Sequence, residues 1–333
     1  MAKKVIEKEG MDDVFSRLEK KYGMGVDTNK DLVIVSTGSI QLDQAMKIGG
    51  TPLGKMIELI GNESSGKTTT VLHQMAEYQK AFPDRRVVYL DMEHSFSPTY
   101  ARAIGVDLEK LKIYQPSSME EAYNLAIDLI KSDLVSCIVV DSQTAAIPKA
   151  VIDGEMGDST IALQARINSK FCLKVKGLLD IHAVTLFFVS QVRANVGSMS
   201  GDGLVSTGGY AIKFYSDVRW KIWKIAKKDD ELNLTTIDVV KSKVGNPFGQ
   251  AKISILWGTG YDKVGEVIDY ASEMGIIQKA GAGWFTIEGT KLQGMDKVRA
   301  FLDDNPGLLE EITKKVMKGL ETPIIGKEEE EAC

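Results

Sequence analysis

Residues 61–68 read Gly61-Asn62-Glu63-Ser64-Ser65-Gly66-Lys67-Thr68 and match the pattern G-x-x-x-x-G-K-[ST]. The apolar run MIELI (56–60) precedes the motif, and the helical stretch TTTVLHQMAEYQKAF (68–82) overlaps its end. A strand, a glycine-bearing turn and a helix in that order make a phosphate cradle. The glycines let backbone N–H groups point inward at phosphate oxygens, and the helix adds the positive end of its dipole. Lys67 supplies a point charge to the β and γ phosphates, and the Thr68 hydroxyl can ligate Mg²⁺. Glu63, Ser64, Ser65 and Thr69 complete the loop. Chance produces the octapeptide in roughly 1% of chains of this length, and the flanking strand and helix lower that further.

Working outward, short apolar runs alternate with helical stretches from about residue 31 to 260. The runs are MIELI (56–60), RVVYLD (86–91), LKIYQ (111–115), CIVVD (137–141), VTLFFVSQ (184–191), DVRWKIWKI (217–225), TTIDVVKSK (235–243) and KISILW (252–257). The early ones are apolar almost throughout, as strands covered on both faces must be. Stretches such as SMEEAYNLAIDLIKS (118–132) carry apolar residues at helical spacing. The pattern predicts an α/β fold with a mainly parallel sheet. The later runs lie close together around KKDD (227–230), so an antiparallel extension is expected.

Three polar features close predicted strands, where ligands of open α/β sheets bind. Asp141 ends CIVVD and suits Mg²⁺ held through water. Asp91 and Glu93 follow RVVYL on one side of the chain, and either suits a base near a γ-phosphate. Gln191 ends the run VTLFFVSQ, as a cap or a γ-phosphate sensor. His94 reads as a surface residue, and His73 and His182 as structural or exposed.

The ends of the chain differ in texture. MDDVFSRLEKKYG (11–23) predicts a short helix with Val14 and Leu18 on one stripe and Phe15 and Tyr22 beside it, stopped by Gly23 and Gly25. Residues 1–30 are thus a helical arm and linker, and 31–262 the core. Residues 263–325 form a small α+β domain with a helix VGEVIDYASEMG, a hairpin GAGWFTIEG and a helix DNPGLLEEITKKVMKGL, in which Glu310–Lys314 and Glu311–Lys315 are four apart. Residues 326–333 are an acidic tail. Ala194 to Gly209 is rich in glycine and serine, long for a loop inside a compact domain, and Gly208 and Gly209 permit close backbone approach. VIDGEMGDS (151–159) is a second such loop. Arg166, Lys170 and Lys174 fall on one side of the helix that follows.

Composition sets outer limits. Forty-one Lys and Arg against 46 Asp and Glu give −5, so the chain is no bulk polycation, and nucleic acid must be held by a local groove or by assembly. Three cysteines (Cys137, Cys172 and Cys333) make neither a disulfide framework nor a zinc pattern and fit a reducing cytoplasm. The N-terminus MAKKVIEKEG has no apolar signal region, and no apolar run is long enough to span a membrane.

Taken together, GNESSGKTTT (61–70), LDMEHSFSPTYARAIGVD (90–107), IVVDSQTAAIPKAVIDGEMGD (138–158), SQVR (190–193) and STGGYAIKFYSDVR (206–219) resemble the bacterial RecA recombinase family. So do STGSIQLDQAMKIGGTPLGKMIELIG (36–61) and KSKVGNPFGQAKISI (241–255), and the resemblance runs from about residue 11 to 318. It implies a helical filament on single-stranded DNA that pairs with homologous duplex and exchanges strands using ATP and Mg²⁺. It makes Glu93 the carboxylate that activates water, Tyr100 the group stacked on adenine, and Gln191 the sensor coupled to the long loop. Lys241 and Lys243 would reach the neighbour's ATP. Loops 154–161 and 192–209 would bind DNA, with Arg166, Ser169, Arg193, Gly208, Gly209 and Tyr210 on contact positions. Lys213, Phe214 and Arg219 would lie on the subunit interface. The N-terminal helix would dock on the adjacent protomer, the C-terminal domain would gather duplex DNA, and the tail would damp that access. The resemblance also allows a self-cleaving repressor as partner. Ser97 and Tyr210 depart from the family's usual Asp and Asn. The competing readings are a hexameric helicase on the same core, which predicts closed rings; a regulatory ATPase, which has no need of the glycine-rich loop; and a small-molecule kinase, which leaves Lys241 and Lys243 unexplained.

Overall fold

The protein is described by a computed structural model over residues 11–22, 31–155, 162–194, 204–206, 209–225 and 232–321. In chain order the elements are α1 (Met11–Tyr22), β1 (Ile34–Val35), α2 (Ile40–Ala45), β2 (Thr51–Pro52), β3 (Met56–Gly61), α3 (Lys67–Ala81), β4 (Arg86–Asp91), α4 (Pro98–Ile104) and β5 (Leu111–Tyr114). Next come α5 (Met119–Lys131), β6 (Val135–Asp141), α6 (Lys149–Ile152), α7 (Leu163–Ile181), β7 (Thr185–Ala194), β8 (Leu204–Ser206), α8 (Ala211–Tyr215), β9 (Val218–Lys224) and β10 (Leu232–Ser242). Last are β11 (Gln250–Leu256), β12 (Gly260–Tyr261), α9 (Lys263–Glu273), β13 (Gln278–Ala280), β14 (Trp284–Ile287), β15 (Thr290–Gln293), α10 (Met295–Asp303) and α11 (Pro306–Glu321). Helix α1 belongs to a unit of its own, separate from the unit that begins at Ile34.

The large sheet runs β12-β11-β10-β9-β3-β7-β6-β4-β5. From β9 to β5 every pairing is parallel, and β10, β11 and β12 add the expected antiparallel extension. Successive residues of a strand face opposite layers. Val87 and Tyr89 of β4 therefore join the core under α3, with Val71, Met75 and Tyr78, whereas Val88 and Leu90 join the core under α5 and α7, with Met119, Tyr123 and Phe171. Burial on both sides is why these strands are apolar throughout.

The C-terminal part has its own core, in which Val267 and Ile268 of α9, Phe285 and Ile287 of β14, Val298 and Leu302 of α10, and Ile312 and Val316 of α11 pack together. The stretch GAGWFTIEG supplies only the middle strand of a three-stranded sheet rather than a self-contained hairpin; β13 and β15 flank it. Both flanking strands are mostly polar and exposed, so they carry no apolar alternation. No helix among the described residues is long and apolar enough to cross a membrane. Cys137 and Cys172 are buried free thiols; Cys333 and the acidic tail lie outside the described residues.

Candidate nucleotide site

The parallel strands bring the predicted residues to one edge. In register, Gly61 of β3 lies beside Gln191 of β7, Val189 of β7 beside Asp141 of β6, and Asp141 beside Asp91 of β4. The carboxyl ends of four adjacent strands therefore converge on the loop between β3 and α3.

That loop is shaped by its two glycines for different reasons. Gly66 has φ +100°, a left-handed conformation that disfavours other residues. At Gly61 a Cβ would lie 2.1 Å from the Ile222 carbonyl oxygen of β9, so this glycine is required by protein backbone. Ser64 also has positive φ. The buried Ser65 hydroxyl has no hydrogen-bond partner. Lys67 turns back on the loop, with Nζ donating to the Gly61 carbonyl at 3.0 Å and the Asn62 carbonyl at 2.6 Å.

Behind the loop, the Thr68 hydroxyl donates to Asp141 Oδ2 at 2.8 Å, and the Tyr89 hydroxyl donates to the same oxygen at 2.6 Å. Burial pushes the Asp141 carboxyl up from its ordinary value, opposed by those bonds and by Lys67. Burial pushes the Lys67 ammonium down, opposed by Asp141, Glu93 and Glu63. In each group burial outweighs the neighbouring opposite charge, and a bound phosphate would favour the charged form of Lys67 and a cation that of Asp141. A hydroxyl and a carboxylate are the hard oxygen donors that suit Mg²⁺ when phosphate and water complete its shell. Among the described residues, no group of three or more His, Cys, Asp or Glu could hold a metal alone. The donor set therefore fits an ion carried by a nucleotide.

The two carboxylates after β4 differ in their partners. Asp91 is fully buried and accepts the Ser95 N–H at 3.1 Å, the Phe96 N–H at 3.2 Å and Gln115 Nε2 at 3.0 Å, so it shapes the turn. Glu93 is exposed. Its Oε1 accepts the Ser142 hydroxyl and, at 3.0 Å, Gln191 Nε2. Sequence reasoning missed Ser142, although it directly follows Asp141, and Tyr89. Tyr100 is half-buried, and its hydroxyl shares a 2.8 Å hydrogen bond with the Thr69 hydroxyl. His94 is exposed; His73 is buried, stacked on Tyr261, and burial pushes it down to about 3. His182 Nδ1 lies 2.7 Å from Asp133 Oδ1.

Other predicted residues lie away from this edge. Lys241 Nζ donates to the Lys213 and Phe214 carbonyls at 2.7 and 2.9 Å, closing the C-terminal end of α8. Burial and the neighbouring Lys243 and Arg219 push Lys241 down to about 8. Lys243 Nζ is 3.5 Å from the Phe214 carbonyl and 3.9 Å from Asp217 Oδ1. Arg219, expected on a subunit interface, is buried and paired with the fully buried Glu58. Lys213 and Phe214 are exposed. Arg166 is exposed in the first turn of α7, while the Ser169 hydroxyl is spent on the Ala165 carbonyl at 2.8 Å.

The stretch read as a loop from Ala194 to Gly209 contains a strand. β8 pairs antiparallel with the end of β7, with Val192 opposite Ser206 and Arg193 opposite Val205. Gly208, residues 195–203 and residues 156–161 lie outside the described residues, as does the Arg193 side chain. Gly209 has φ +87°, and a Cβ there would meet Ala165 Cβ at 2.7 Å, so the backbone at Gly209 packs closely against α7.

The RecA N-terminal domain model matches residues 9–262, and the RecA C-terminal domain model matches residues 265–321. The chain belongs to the RecA family. Protein RecA of Bifidobacterium longum is 42% identical over 320 residues, covering 93% of this chain and 80% of that protein. Protein RecA of Nocardioides sp. is 41% identical over 323 residues, covering 94% and 91%. Protein RecA of Cytophaga hutchinsonii is 42% identical over 332 residues, covering 95% and 93%. RecA-family membership makes this an ATP-dependent recombinase rather than a helicase or a regulatory ATPase. Of the two departures from the RecA pattern, Ser97 is the N-cap of α4, its hydroxyl accepting the Tyr100 N–H at 3.3 Å. Tyr210 is 62% exposed at the start of α8, with Lys213 Nζ 5.9 Å from its ring centre.

Proposed function

We propose that this chain is a Mg²⁺-dependent, DNA-stimulated ATPase that assembles as a helical filament on single-stranded DNA, pairs it with homologous duplex and exchanges strands. The observation that carries the reading is the 3.0 Å bond from Gln191 to Glu93. Gln191 is followed at once by the β7–β8 pairing that frames the glycine-rich segment. One strand thus joins the carboxylate beside the phosphate loop to the segment offered to DNA.

In this mechanism Lys67 leaves the Gly61 and Asn62 carbonyls for the β and γ phosphates of ATP. Thr68, and Asp141 through water, would hold Mg²⁺, which would neutralise phosphate charge. Glu93, steadied by Ser142 and Gln191, orients water and accepts its proton. Tyr100 lies against the adenine. Lys241 and Lys243 serve the ATP of the adjacent subunit, so hydrolysis belongs to the subunit boundary. Arg166, Ser169, Arg193, Gly208, Gly209 and Tyr210 face DNA, with Tyr210 as a stacking group. The N-terminal helix docks on the next subunit, Lys213, Phe214 and Arg219 belong to the subunit interface, residues 31–262 form the motor, and residues 263–325 receive duplex. ATP hydrolysis measured with and without single-stranded DNA at two salt concentrations tests the reading. Strong stimulation that fades at high salt, followed by strand exchange, is expected; hydrolysis indifferent to DNA would overturn it.

A further inference from the structure

The C-terminal part is held to the core by a buried carboxylate. Glu266, in the first turn of α9, is 5% exposed. Its Oε1 accepts the Ser39 hydroxyl at 2.7 Å, and its Oε2 accepts the Ile40 N–H at 2.8 Å. Ser39 is the N-cap of α2, its own Oγ accepting the Leu42 N–H at 3.2 Å. Glu266 therefore does across an interface what the glutamate of a capping box does within one helix. A cavity of about 280 Å³ opens beside it, lined by Gln41, Lys252, Asp269, Met295 and Arg299, and gives water a route to the joint.

The titratable groups around Glu266 come from every packed element. They are Asp43 of α2, Lys252 of β11, Tyr261 of β12, Arg299 of α10, and Asp269 and Tyr270 of its own helix, with Asp262 at that helix's cap. Asp262 is already engaged by Arg299. Ionised Glu266 must give up water and sit against Asp43; lifted from its seat it regains water.

We propose that Glu266 is a proton-operated clasp, holding the C-terminal part on α2 when its carboxyl is protonated and loosening it when the proton leaves. Burial supports the direction, pushing this carboxyl up to about 7 from its ordinary 4.5, with Asp43 adding to the shift and the bonds from Ser39 and from the Ile40 and Gln41 backbone opposing it. The docked carboxyl binds its proton more tightly than the released one. Docking is therefore strongest at low pH and weakens as pH rises through the docked value. The clasp stands independently of the nucleotide-site reading.

The test is amide hydrogen exchange on the full nucleotide-free chain, expressed as protection factors that remove the intrinsic pH dependence. Between about pH 6 and about pH 8, protection of the Ile40 amide and of α9 should fall about tenfold, while α3 holds. In Glu266→Gln, which stays neutral, the fall should vanish. A flat wild-type profile, or the same fall in the variant, would overturn the proposal. Should the variant not fold, NMR titration of the Glu266 carboxyl in the wild type decides: a midpoint near 7 upholds the clasp, and one near 4.5 sinks it.

Discussion

At the scale of single residues, the site depends on which carboxylate remains available after the fold has taken its share. Asp91 and Glu93 leave the same strand on the same side, so the sequence alone offers both. The bonds that commit Asp91 to structure come partly from Gln115, distant in the chain, and no local pattern reveals that. The Ser142–Glu93 contact, 49 residues apart, was hidden for the same reason. Lys67 and Thr68, by contrast, were legible because the strand-loop-helix motif fixes their spacing, and Asp141 because it closes an apolar strand. Glu93→Gln keeps the shape of the side chain and removes the proton acceptor. Hydrolysis should drop about 10²–10⁴-fold with nucleotide affinity retained, as steady-state turnover and equilibrium binding would show. Gln191→Ala cuts the tie between Glu93 and the β7–β8 arm. The ratio of hydrolysis with and without single-stranded DNA should then collapse toward one, and a preserved ratio would break the coupling argument.

At the scale of elements, legibility followed burial. The strands covered on both faces are near-continuous apolar runs, and each predicted run is a strand in the structure. Several elements of two to five residues escaped notice: β1, β2, β8, β12 and α8 are too short to show a period, and β1, β2 and β8 depend on partners ten or more residues away. The same long-range pressure explains Gly61. Sequence logic assigns it to phosphate, whereas the Ile222 carbonyl of β9 already excludes a side chain. Gly61→Ala should therefore lower the stability of the empty protein, by about 1–3 kcal/mol for an overpacked site. Thermal unfolding without nucleotide measures this; an unchanged midpoint would return the glycine to a purely ligand-binding role.

At the scale of the whole molecule, a chain of net charge −5 has to hold a polyanion. A filament resolves the conflict, since each subunit need present only a few cations and assembly lines them into one groove. The described surface narrows which cations are free to serve. Arg219 is paired with Glu58, and Lys241, at the end of α8, is assigned to the neighbour's ATP. Arg166 is exposed beside the start of α7, against which Gly209 packs, so it stands near where the glycine-rich segment returns to the core. A phosphate contact by Arg166 makes a quantitative claim. Each phosphate neutralised on a single strand contributes about 0.7 to the slope of log affinity against log salt concentration. Arg166→Ala should lower the per-subunit slope by about that amount and weaken binding evenly across DNA sequences. A slope that stays the same would place Arg166 on a solvated face and shift the groove toward Arg193, the one cation of residues 192–209.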